Sequence, residues 1–552
     1  MQLGLGQAEV AQQGADINAT ALEDVRKPDV VASRDQQLPM GHGALSNKVA
    51  HYDNTLAEND KNQPSRARSI LTAFMERSQQ MESTISKMGP TAPSWVDGKR
   101  YWWLLSPGLP AMGLAVLAMA STTGNGLWFW LLPFVFYGIV PLLDRLIGTD
   151  PVNAPESAVP DLESDRYYRG IVFAYIPAQY GVTLFGAWLA VQGGFAGWEL
   201  LGLTVVVGII NGVGINTAHE LGHKTNPLER WLAKITLAPV AYGHFFIEHN
   251  KGHHKHVATP EDPASSRMGE TFWAFLPRTV IGSVRSAWGI ERARLIRDGK
   301  PVFSRHNEIL QAWGLTVLLF GAISLWLGPW ALVFLVAQAA YGASLLEVVN
   351  YLEHYGLLRL KDASGRYERC QPRHSWNSNH VVTNLLLYQL QRHSDHHAHP
   401  TRRYQGLRSF DDSPQLPSGY ASMLLIAYLP PLWFRVMDPL VVAHYNGDLT
   451  RASLHPSRRQ ALLRRWMGVD AAAVATASSV AAANPVRAGI PAVPAHALYQ
   501  CPNCSYCYDE AVGCPEEGYP RGTRWAALPA DWSCPHCAVR DKADFAAVVP
   551  AR

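Results

Sequence analysis

The sequence predicts a mainly α protein: a six-helix transmembrane bundle with a cytosolic, histidine-rich cap, followed by a small C-terminal metal-binding domain. Three observations indicate this fold class. Six apolar stretches are each about 20 residues long, the length of a membrane-spanning helix. Fifteen of the 21 histidines fall between His219 and His399. Six of the seven cysteines fall between Cys501 and Cys537, which argues against a disulfide framework.

The N-terminal segment, residues 1–94, is predicted to be polar and largely disordered. It contains few aromatic residues and no apolar run of the signal-peptide type. Within it, apolar residues recur at roughly helical spacing between residues 65 and 88 and predict an amphipathic helix. Two interpretations of this helix stay open, because its apolar face suits packing on the protein and also suits a membrane surface.

The six apolar stretches follow a change of composition near Tyr101. Each is long enough to cross a hydrocarbon core of about 30 Å as a helix. Their internal proline and glycine residues are tolerated in membrane helices, where neighbouring helices satisfy the freed backbone groups. We predict spans at 101–120, 126–147, 168–193, 198–218, 309–328 and 330–353.

The distribution of Lys and Arg predicts the orientation of the bundle. The turns after the first, third and fifth spans contain neither residue, whereas the segments before the first span and after the second, fourth and sixth spans each contain one or both. Basic loops remain in the cytosol. Both termini and the histidine-rich segments 219–308 and 354–455 are therefore predicted to be cytosolic. The two segments together are predicted to form the cap.

Two further apolar segments, 271–284 and 420–437, are interrupted by proline or arginine. We interpret them as interfacial or packed against the bundle, and a seventh, re-entrant segment stays open as an alternative. The net charge of +3 and the absence of a concentrated basic run do not indicate a nucleic-acid partner.

The candidate metal ligands begin where the fourth span ends, in the motif NTAHELGHK at 216–224. If the helix continues through this motif, His219 and His223 stand four residues apart, share one face and point at one metal ion. Three further motifs, EHNKGHH, NYLEHYG and LQRHSDHH, raise the number of candidates to nine, more than one metal ion can use. The nine are His219, His223, His249, His253, His254, His354, His393, His396 and His397.

One alternative interpretation of these motifs is a zinc protease. HExxH alone is typical of that class, with Glu220 as general base, but that site needs only one further ligand and leaves the other clusters unexplained.

Each cluster also contains a carboxylate that can orient a ligand ring by accepting its second N–H. These candidates are Glu220, Glu248, Asp262, Glu353 and Asp395.

An Ala- and Pro-rich stretch, residues 466–498, is predicted to be a linker to the C-terminal domain. Beyond it, CPNC and CPHC predict a tetrahedral site of four thiolates, and their spacing alone permits zinc or iron. The ligands would be Cys501, Cys504, Cys534 and Cys537, whereas Cys507 and Cys514 are interpreted as spare thiols.

The residues between the two CxxC motifs resemble rubredoxin. The resemblance is carried by Tyr508-Asp509, by Gly522, Thr523 and Trp525, and by Pro529 and Trp532, and it covers the domain 499–552. It implies one iron held by the four cysteines and the transfer of one electron. The glycine that usually follows each CxxC motif is Ser505 and Ala538 here, which strains the loop if these positions require a positive φ.

The amino-acid sequences of the histidine motifs resemble those of the membrane-bound alkane 1-monooxygenases, the AlkB family. HELGHK, EHNKGHHKHVATPEDPASSR, NYLEHYG and LQRHSDHHAHPTRRYQ carry the resemblance, which covers the domain 95–465. It implies a non-haem di-iron centre ligated by the nine histidines, and hydroxylation of the terminal carbon of medium-chain n-alkanes with O2. It also implies a bacterial inner membrane and a flavoprotein rubredoxin reductase that uses NADH or NADPH.

An alkane substrate from the lipid bilayer has no polar group, so its recognition must depend on the shape of an apolar tunnel. Aromatic residues of the second span are candidates for the tunnel wall: Trp128, Trp130, Phe134 and Phe136. Two other functions stay open. One is a membrane fatty-acid desaturase or hydroxylase with the same kind of histidine clusters, and the other is a membrane zinc protease with a zinc-ribbon module.

Overall fold

The computed structural model describes residues 95–469 and 498–548, which belong to one compact unit that begins at Ser94. The predicted amphipathic helix at 65–88 and most of the predicted linker lie outside these residues. In chain order the longer helices are α1 Leu105–Thr123, α2 Gly126–Ile147, α3 Arg166–Gln192, α4 Gly197–Gly222, α5 Pro227–Leu237, α6 Phe272–Arg297, α7 Glu308–Leu327, α8 Pro329–Glu353, α9 Tyr420–Ala427, α10 Pro430–His444 and α11 Arg459–Met467. Shorter helices are named below by their ranges.

Six helices of the described residues are long and apolar enough to cross a membrane, which confirms the predicted number. They are α1, α2, α3, α4, α7 and α8. The helix α2 is not uniform: it begins as a 3-10 helix at Gly126–Trp130 and contains a π-helical turn at Val135–Ile139.

Local sequence explains where the spanning helices begin and end. The Asp165 side chain accepts a hydrogen bond from the backbone N–H of Tyr167 and caps α3, and Asn307 caps α7 in the same way. Gly124 ends α1 with φ of 65°, and Gly328 separates α7 from α8 with φ of 93°. Glycine adopts these left-handed conformations without the steric penalty of a side chain.

Helix α4 is the centre of the bundle, and every residue from Val206 to Lys224 is buried. It packs closely on α8 because glycines meet at the contact. A Cβ atom added at Gly212 would lie 2.9 Å from the carbonyl oxygen of Gly342, and one added at Gly342 would lie 3.0 Å from that of Gly208. Small residues at such contacts let membrane helices approach each other.

Polar side chains join α3, α4 and α8 inside the bundle. Asn211 donates a hydrogen bond to the Gln338 side chain at 2.7 Å and accepts one from Gln179 at 3.0 Å. Gln338 in turn donates to the carbonyl oxygen of Pro239 at 2.7 Å. Because lipid offers no hydrogen-bond partners, these groups satisfy one another and fix the relative register of the three helices.

The cap contains α5, α6, α9, α10 and α11 together with the histidine-bearing turns. Helix α6 is longer than the predicted apolar segment 271–284, because its charged second half continues the helix to Arg297. There Glu291 pairs with Arg294 at 2.6 Å and accepts the backbone N–H of Glu308 at 2.8 Å. The second predicted segment, 420–437, is divided into α9 and α10 before two consecutive prolines that begin α10.

The C-terminal domain begins with strand β1 Leu498–Gln500, which pairs antiparallel with β2 Cys507–Asp509 and β3 Ala546–Val548 in the order β2-β1-β3. The buried side chains of Tyr508 and Trp532 form its aromatic core. Ala538 has φ of 55°, so the condition for backbone strain is met after the second CxxC motif. Ser505 is not among the described non-glycine residues with positive φ, so the condition is not met after the first motif.

The close contact between α4 and α8 predicts a stability difference between two glycine substitutions. We expect Gly212→Ala to destabilise the bundle by about 1–3 kcal/mol, because its methyl group meets the backbone of Gly342. Gly314→Ala, in the middle of α7, is the matched control, since a Cβ there has no neighbour within 4 Å. Thermal unfolding in detergent should show a lower Tm for Gly212→Ala alone, and equal Tm values would contradict the packing account.

Candidate metal centre

The nine predicted histidines lie together and form two buried groups. Within each group the ligand nitrogens all lie within 4.8 Å of one another. The first group contains His219, His223, His249, His254 and His396, and the second contains His253, His354, His393 and His397. Two groups agree with the expectation that one metal ion cannot use nine ligands.

Helix ends deliver most of these side chains. His219 lies in the last turn of α4, His223 is the residue that caps this helix, and His354 caps α8. The short helix His393–Ala398 supplies three more, with His393 and His397 four residues apart and facing the same group. The close packing of α4 on α8 therefore places both groups at one end of the bundle.

A π-helical segment, Glu248–His253, decides how its histidines are divided. The backbone N–H of His254 donates to the carbonyl oxygen of His249, the i→i+5 pattern of a π-helix. His249 and His254 therefore face the first group, while His253 faces the second. An α-helix would have placed His249 with His253, so this division could not be predicted from α-helical spacing.

The ring nitrogens converge as metal ligands do. The Nε2 atoms of His219 and His396 are 2.8 Å apart, and those of His393 and His397 are also 2.8 Å apart. The Nε2 atoms of His223, His253 and His354 are buried without a hydrogen-bond partner. Nitrogens directed at one another and left unpaired in a buried site fit metal ions held between them.

Burial keeps these rings in the form that binds metal. It lowers the pKa of His223, His249 and His254 well below the ordinary value, and the pKa of His354 to about 3. These four rings are consequently neutral at physiological pH. Only a neutral imidazole has a free lone pair for coordination, so no proton has to be displaced there.

Two ligand rings are held by acceptors behind them. The Nδ1 atom of His253 lies 2.9 Å from the carboxylate of Asp262, which also accepts the Ser265 hydroxyl at 2.6 Å. Although burial alone would raise it, these neighbours lower the pKa of Asp262 to about 2. The Nδ1 atom of His354 lies 3.1 Å from the carbonyl oxygen of His374. This second acceptor could not be predicted from the sequence, because a backbone carbonyl carries no residue-type signal.

Glu353 and Glu248, two further predicted acids, have different surroundings. Glu353 accepts the Tyr420 hydroxyl at 2.9 Å and lies 3.2 Å from Nε2 of His393, on the ligand side of that ring. Burial raises the pKa of Glu248 to about 8.

Two of the predicted acids do not orient a ligand ring. Glu220 instead pairs with Lys224 at 3.1 Å, one turn further along the chain. Asp395 instead accepts hydrogen bonds from Arg408 at 2.8 Å and from His399 at 2.9 Å. Their position beside a ligand suggested the role, but both face away from the rings, towards cations on the outside of the site.

The other six histidines between His219 and His399 lie outside both groups. They are His244, His256, His306, His374, His380 and His399.

The aromatic residues proposed for the substrate tunnel differ in exposure. Phe136 is 3% exposed and packs in the core, and Trp128 and Trp130 are partly buried. Phe134 is 61% exposed on the outer surface of α2. It therefore cannot line an internal tunnel, because the α2 backbone directs it towards lipid.

The four predicted cysteines also form one group. The Sγ atoms of Cys501 and Cys537 are 3.8 Å apart, and those of Cys504 and Cys534 are 3.7 Å apart. Four sulfurs about 2.3 Å from a central metal form a tetrahedron whose edges are about 3.8 Å long. The distances therefore fit a four-thiolate metal site.

The other three cysteines lie outside this group. Burial raises the pKa of the Cys514 thiol to about 12 and that of Cys370 to about 11. Both remain protonated thiols at physiological pH, which is not the form that binds metal. Burial also raises the pKa of Cys507.

The cysteine site faces the histidine site across a shared interface. A cavity of about 390 Å³ is lined by Cys504, Ser505 and His536 on one side and by His223 and Lys224 on the other. The Asn503 side chain donates a hydrogen bond at 2.8 Å to the carbonyl oxygen of Ala398, the residue after His397. The cap thus contacts the edge of the C-terminal domain that holds the metal ligands.

Opposite charges hold this interface together. Lys251 pairs with Glu517, and Arg369 pairs with Asp541 at 2.8 Å and with Asp544. The cap supplies the cations and the C-terminal domain supplies the anions.

Backbone and ring contacts add to these ion pairs. Lys255 donates to the carbonyl oxygen of Asp531 at 2.8 Å. Arg297 donates to that of Glu517 at 2.9 Å and lies 5.2 Å from the ring centre of Tyr519. The domain is therefore seated in one orientation, with its cysteine-bearing edge on the cap.

Comparison with known proteins finds relatives of both parts of the chain. The family model for fatty acid desaturase matches residues 196–427, and the rubredoxin model matches residues 498–545. An alkane 1-monooxygenase of Pseudomonas putida is 49% identical over 391 residues, 70% of this chain and 97% of that protein. An alkane 1-monooxygenase of Acinetobacter baylyi is 48% identical over 374 residues, 67% of this chain and 92% of that protein. The xylene/toluene monooxygenase hydroxylase component XylM of Pseudomonas putida is 30% identical over 223 residues, 40% of this chain and 58% of that protein.

The hydrogen bond between Asp262 and His253 predicts a loss of metal affinity. We expect Asp262→Asn to weaken iron binding about 10–100-fold, because the amide accepts the ring N–H less strongly and leaves the ring less firmly oriented. Iron retained per chain after dialysis against a graded series of chelator concentrations measures the effect. Glu261→Gln, at the neighbouring residue outside both groups, is the control; equal iron loss from the two variants would contradict the assigned role.

Proposed function

The chain belongs to the alkane 1-monooxygenase family, with a rubredoxin domain in the same polypeptide, and from this premise we propose that it hydroxylates the terminal carbon of medium-chain n-alkanes. It is a membrane oxidoreductase that uses O2. The observation that carries the proposal is the pair of buried histidine groups beneath a seated four-cysteine site. One alkane, one O2, two electrons and two protons yield one 1-alkanol and one water.

The metal content follows from the donor sets. The histidine groups hold a non-haem di-iron centre, and the rubredoxin domain holds a third iron in its four cysteines. We propose the nine histidines as the di-iron ligands. When reduced, the iron pair supplies the O2 chemistry needed to break an unactivated C–H bond, which no amino-acid side chain supplies.

The protein's own residues hold this centre in place. Asp262 and the carbonyl oxygen of His374 fix the rotation of His253 and His354, so that the free nitrogen of each ring points into the site. Burial of all nine rings also excludes bulk water, which protects the reduced centre from side reactions.

Substrate recognition is proposed to depend on shape. The buried apolar residues of α4 run directly to His219, so a chain that enters from the bilayer along this helix presents its end to the site. Trp128, Trp130 and Phe136 of α2 are proposed to limit the length of alkane that fits. A terminal carbon is then the part of the substrate that reaches the iron.

Electron supply requires a second protein. Each turnover needs two electrons, whereas rubredoxin carries one, so the domain must be reduced twice. A soluble flavoprotein reductase that uses NADH or NADPH is proposed to do this. Because such a reductase is cytosolic, the cap and both termini are proposed to face the cytosol from a bacterial inner membrane, as the basic loops indicate.

A second candidate function is desaturation or hydroxylation of an acyl chain, which the match of residues 196–427 to the fatty acid desaturase model favours. The products separate the two candidates. Purified protein in nanodiscs, supplied with dodecane, O2, NADH and a rubredoxin reductase, should form 1-dodecanol. No alcohol from fully iron-loaded protein, together with a double bond or a mid-chain alcohol in an acyl substrate, would contradict the proposal.

The linker predicts a concentration dependence. The sequence predicts a linker to the fused rubredoxin, and a random-coil chain of about 28 residues has an end-to-end distance of about 30 Å, which would give the rubredoxin a high local concentration at the cap. We expect cleavage at a protease site inserted between residues 470 and 497 to lower turnover at low protein concentration, and added rubredoxin to restore it. The same insertion left uncut is the control; turnover that survives cleavage and dilution would contradict this role.

A further inference from the structure

The cysteine-bearing edge of the rubredoxin domain is covered by the cap, which restricts how the domain can be reduced. This inference rests on the proposed function, in that an external reductase supplies the electrons. We propose that the reductase binds the same rubredoxin edge that the cap binds. The rubredoxin must therefore leave its seat on the cap to receive each electron, and the reductase must present a basic surface.

The position of the four-cysteine site supports a single route by which an electron can reach its metal. Cys501, Cys534 and Cys537 are buried and belong to one packed cluster with the aromatic core of the domain. Cys504 alone of the four ligands is partly exposed, and it lines the cavity that His223 also lines. The open side of the metal site is thus the side occupied by the cap.

Charge identifies the kind of partner that fits this edge. Glu517, Asp531, Asp541 and Asp544 surround the CxxC loops, and the cap meets them with lysine and arginine. A reductase that approaches the same edge meets the same carboxylates. It therefore needs basic groups of its own, and it cannot use them while the cap occupies the acids.

The contacts between the rubredoxin domain and the cap suit repeated release of the domain. They are ion pairs and hydrogen bonds between partly exposed side chains, each of which adds little binding free energy and is screened by salt. The linker keeps the released domain close to the cap, so that it returns quickly. In the released state one electron passes from reduced flavin to ferric rubredoxin iron, which becomes ferrous before the domain is seated again.

Two glycines provide a matched pair of variants for the test. A Cβ atom added at Gly518 would lie 2.6 Å from Cβ of Arg297 and 3.0 Å from the carbonyl oxygen of Arg294, both in the cap. Gly522 has nearly the same φ, 84° against 80°, but its Cβ would meet nothing within 4 Å. Gly518→Ala and Gly522→Ala therefore strain the domain alike, and only the former disturbs the seat.

The first experiment measures anaerobic bleaching of the red ferric rubredoxin by NADH and reductase in the full-length protein. We expect Gly518→Ala to shift the seated-to-released ratio about tenfold towards release, and reductase-driven bleaching to become severalfold faster than in the wild type. Gly522→Ala should match the wild type. If Gly518→Ala bleaches no faster than Gly522→Ala, the shared-edge proposal is overturned.

The second experiment cross-links the rubredoxin domain to the cap. A carbodiimide joins the Lys251 amine to the paired Glu517 carboxylate as an amide, and the water lost converts the carbodiimide to its urea. Reductase-driven bleaching should then fall about tenfold relative to the same protein before treatment, while bleaching by dithionite, a small reductant, should not change. Lys255 also faces a carboxylate of the domain, Asp531, so the control is the double variant Glu517→Gln/Asp531→Asn, which can form neither amide and, treated identically, should keep its own starting rate.

The outcomes separate this inference from the function on which it rests. A locked protein that the reductase reduces as fast as before would overturn the shared edge, even if 1-alkanol is still formed. Failure of the reductase to bleach the untreated wild type would count instead against the proposed electron supply.

Discussion

The burial of nine imidazoles at one end of a membrane bundle is the constraint on which the rest of the structure depends. Their ring nitrogens point at one another at distances near 3 Å, and several lack any hydrogen-bond partner. Such an arrangement is unfavourable unless metal ions use the free lone pairs. The cap, the acceptors behind the rings and the helix ends all serve to hold these nitrogens in two groups.

The bundle and the site are connected through α4 and α8. Glycines let the two helices touch along their backbones, and a network around Asn211 fixes their register. Both helices end in the site, at His223 and His354. Helix packing in the membrane thus sets the distance between ligands in the cap, and the rubredoxin domain is seated on the cap beside His223.

The six spans could be predicted because hydrocarbon imposes a length and composition that each segment must meet by itself. The pairing of His219 with His223 could also be predicted, from α-helical spacing. The division of His249, His253 and His254 could not, since a π-helix is not encoded by a residue pattern. Partners distant in sequence could not be predicted either. Lys251 and Glu517 are 266 residues apart, and no local pattern connects them. Glu220 and Asp395 lie beside ligand histidines in the sequence, which suggested that they orient ligand rings, but Lys224 and Arg408 pair with them instead.

The metal content of the purified chain tests the central claim most directly. Two histidine groups and one cysteine group predict close to three iron ions per chain. Inductively coupled plasma mass spectrometry of the wild type should give this value, and Cys504→Ser should lower it by one without loss of the histidine-bound pair. Zinc in place of iron, or a single metal ion shared by the nine histidines, would contradict the account.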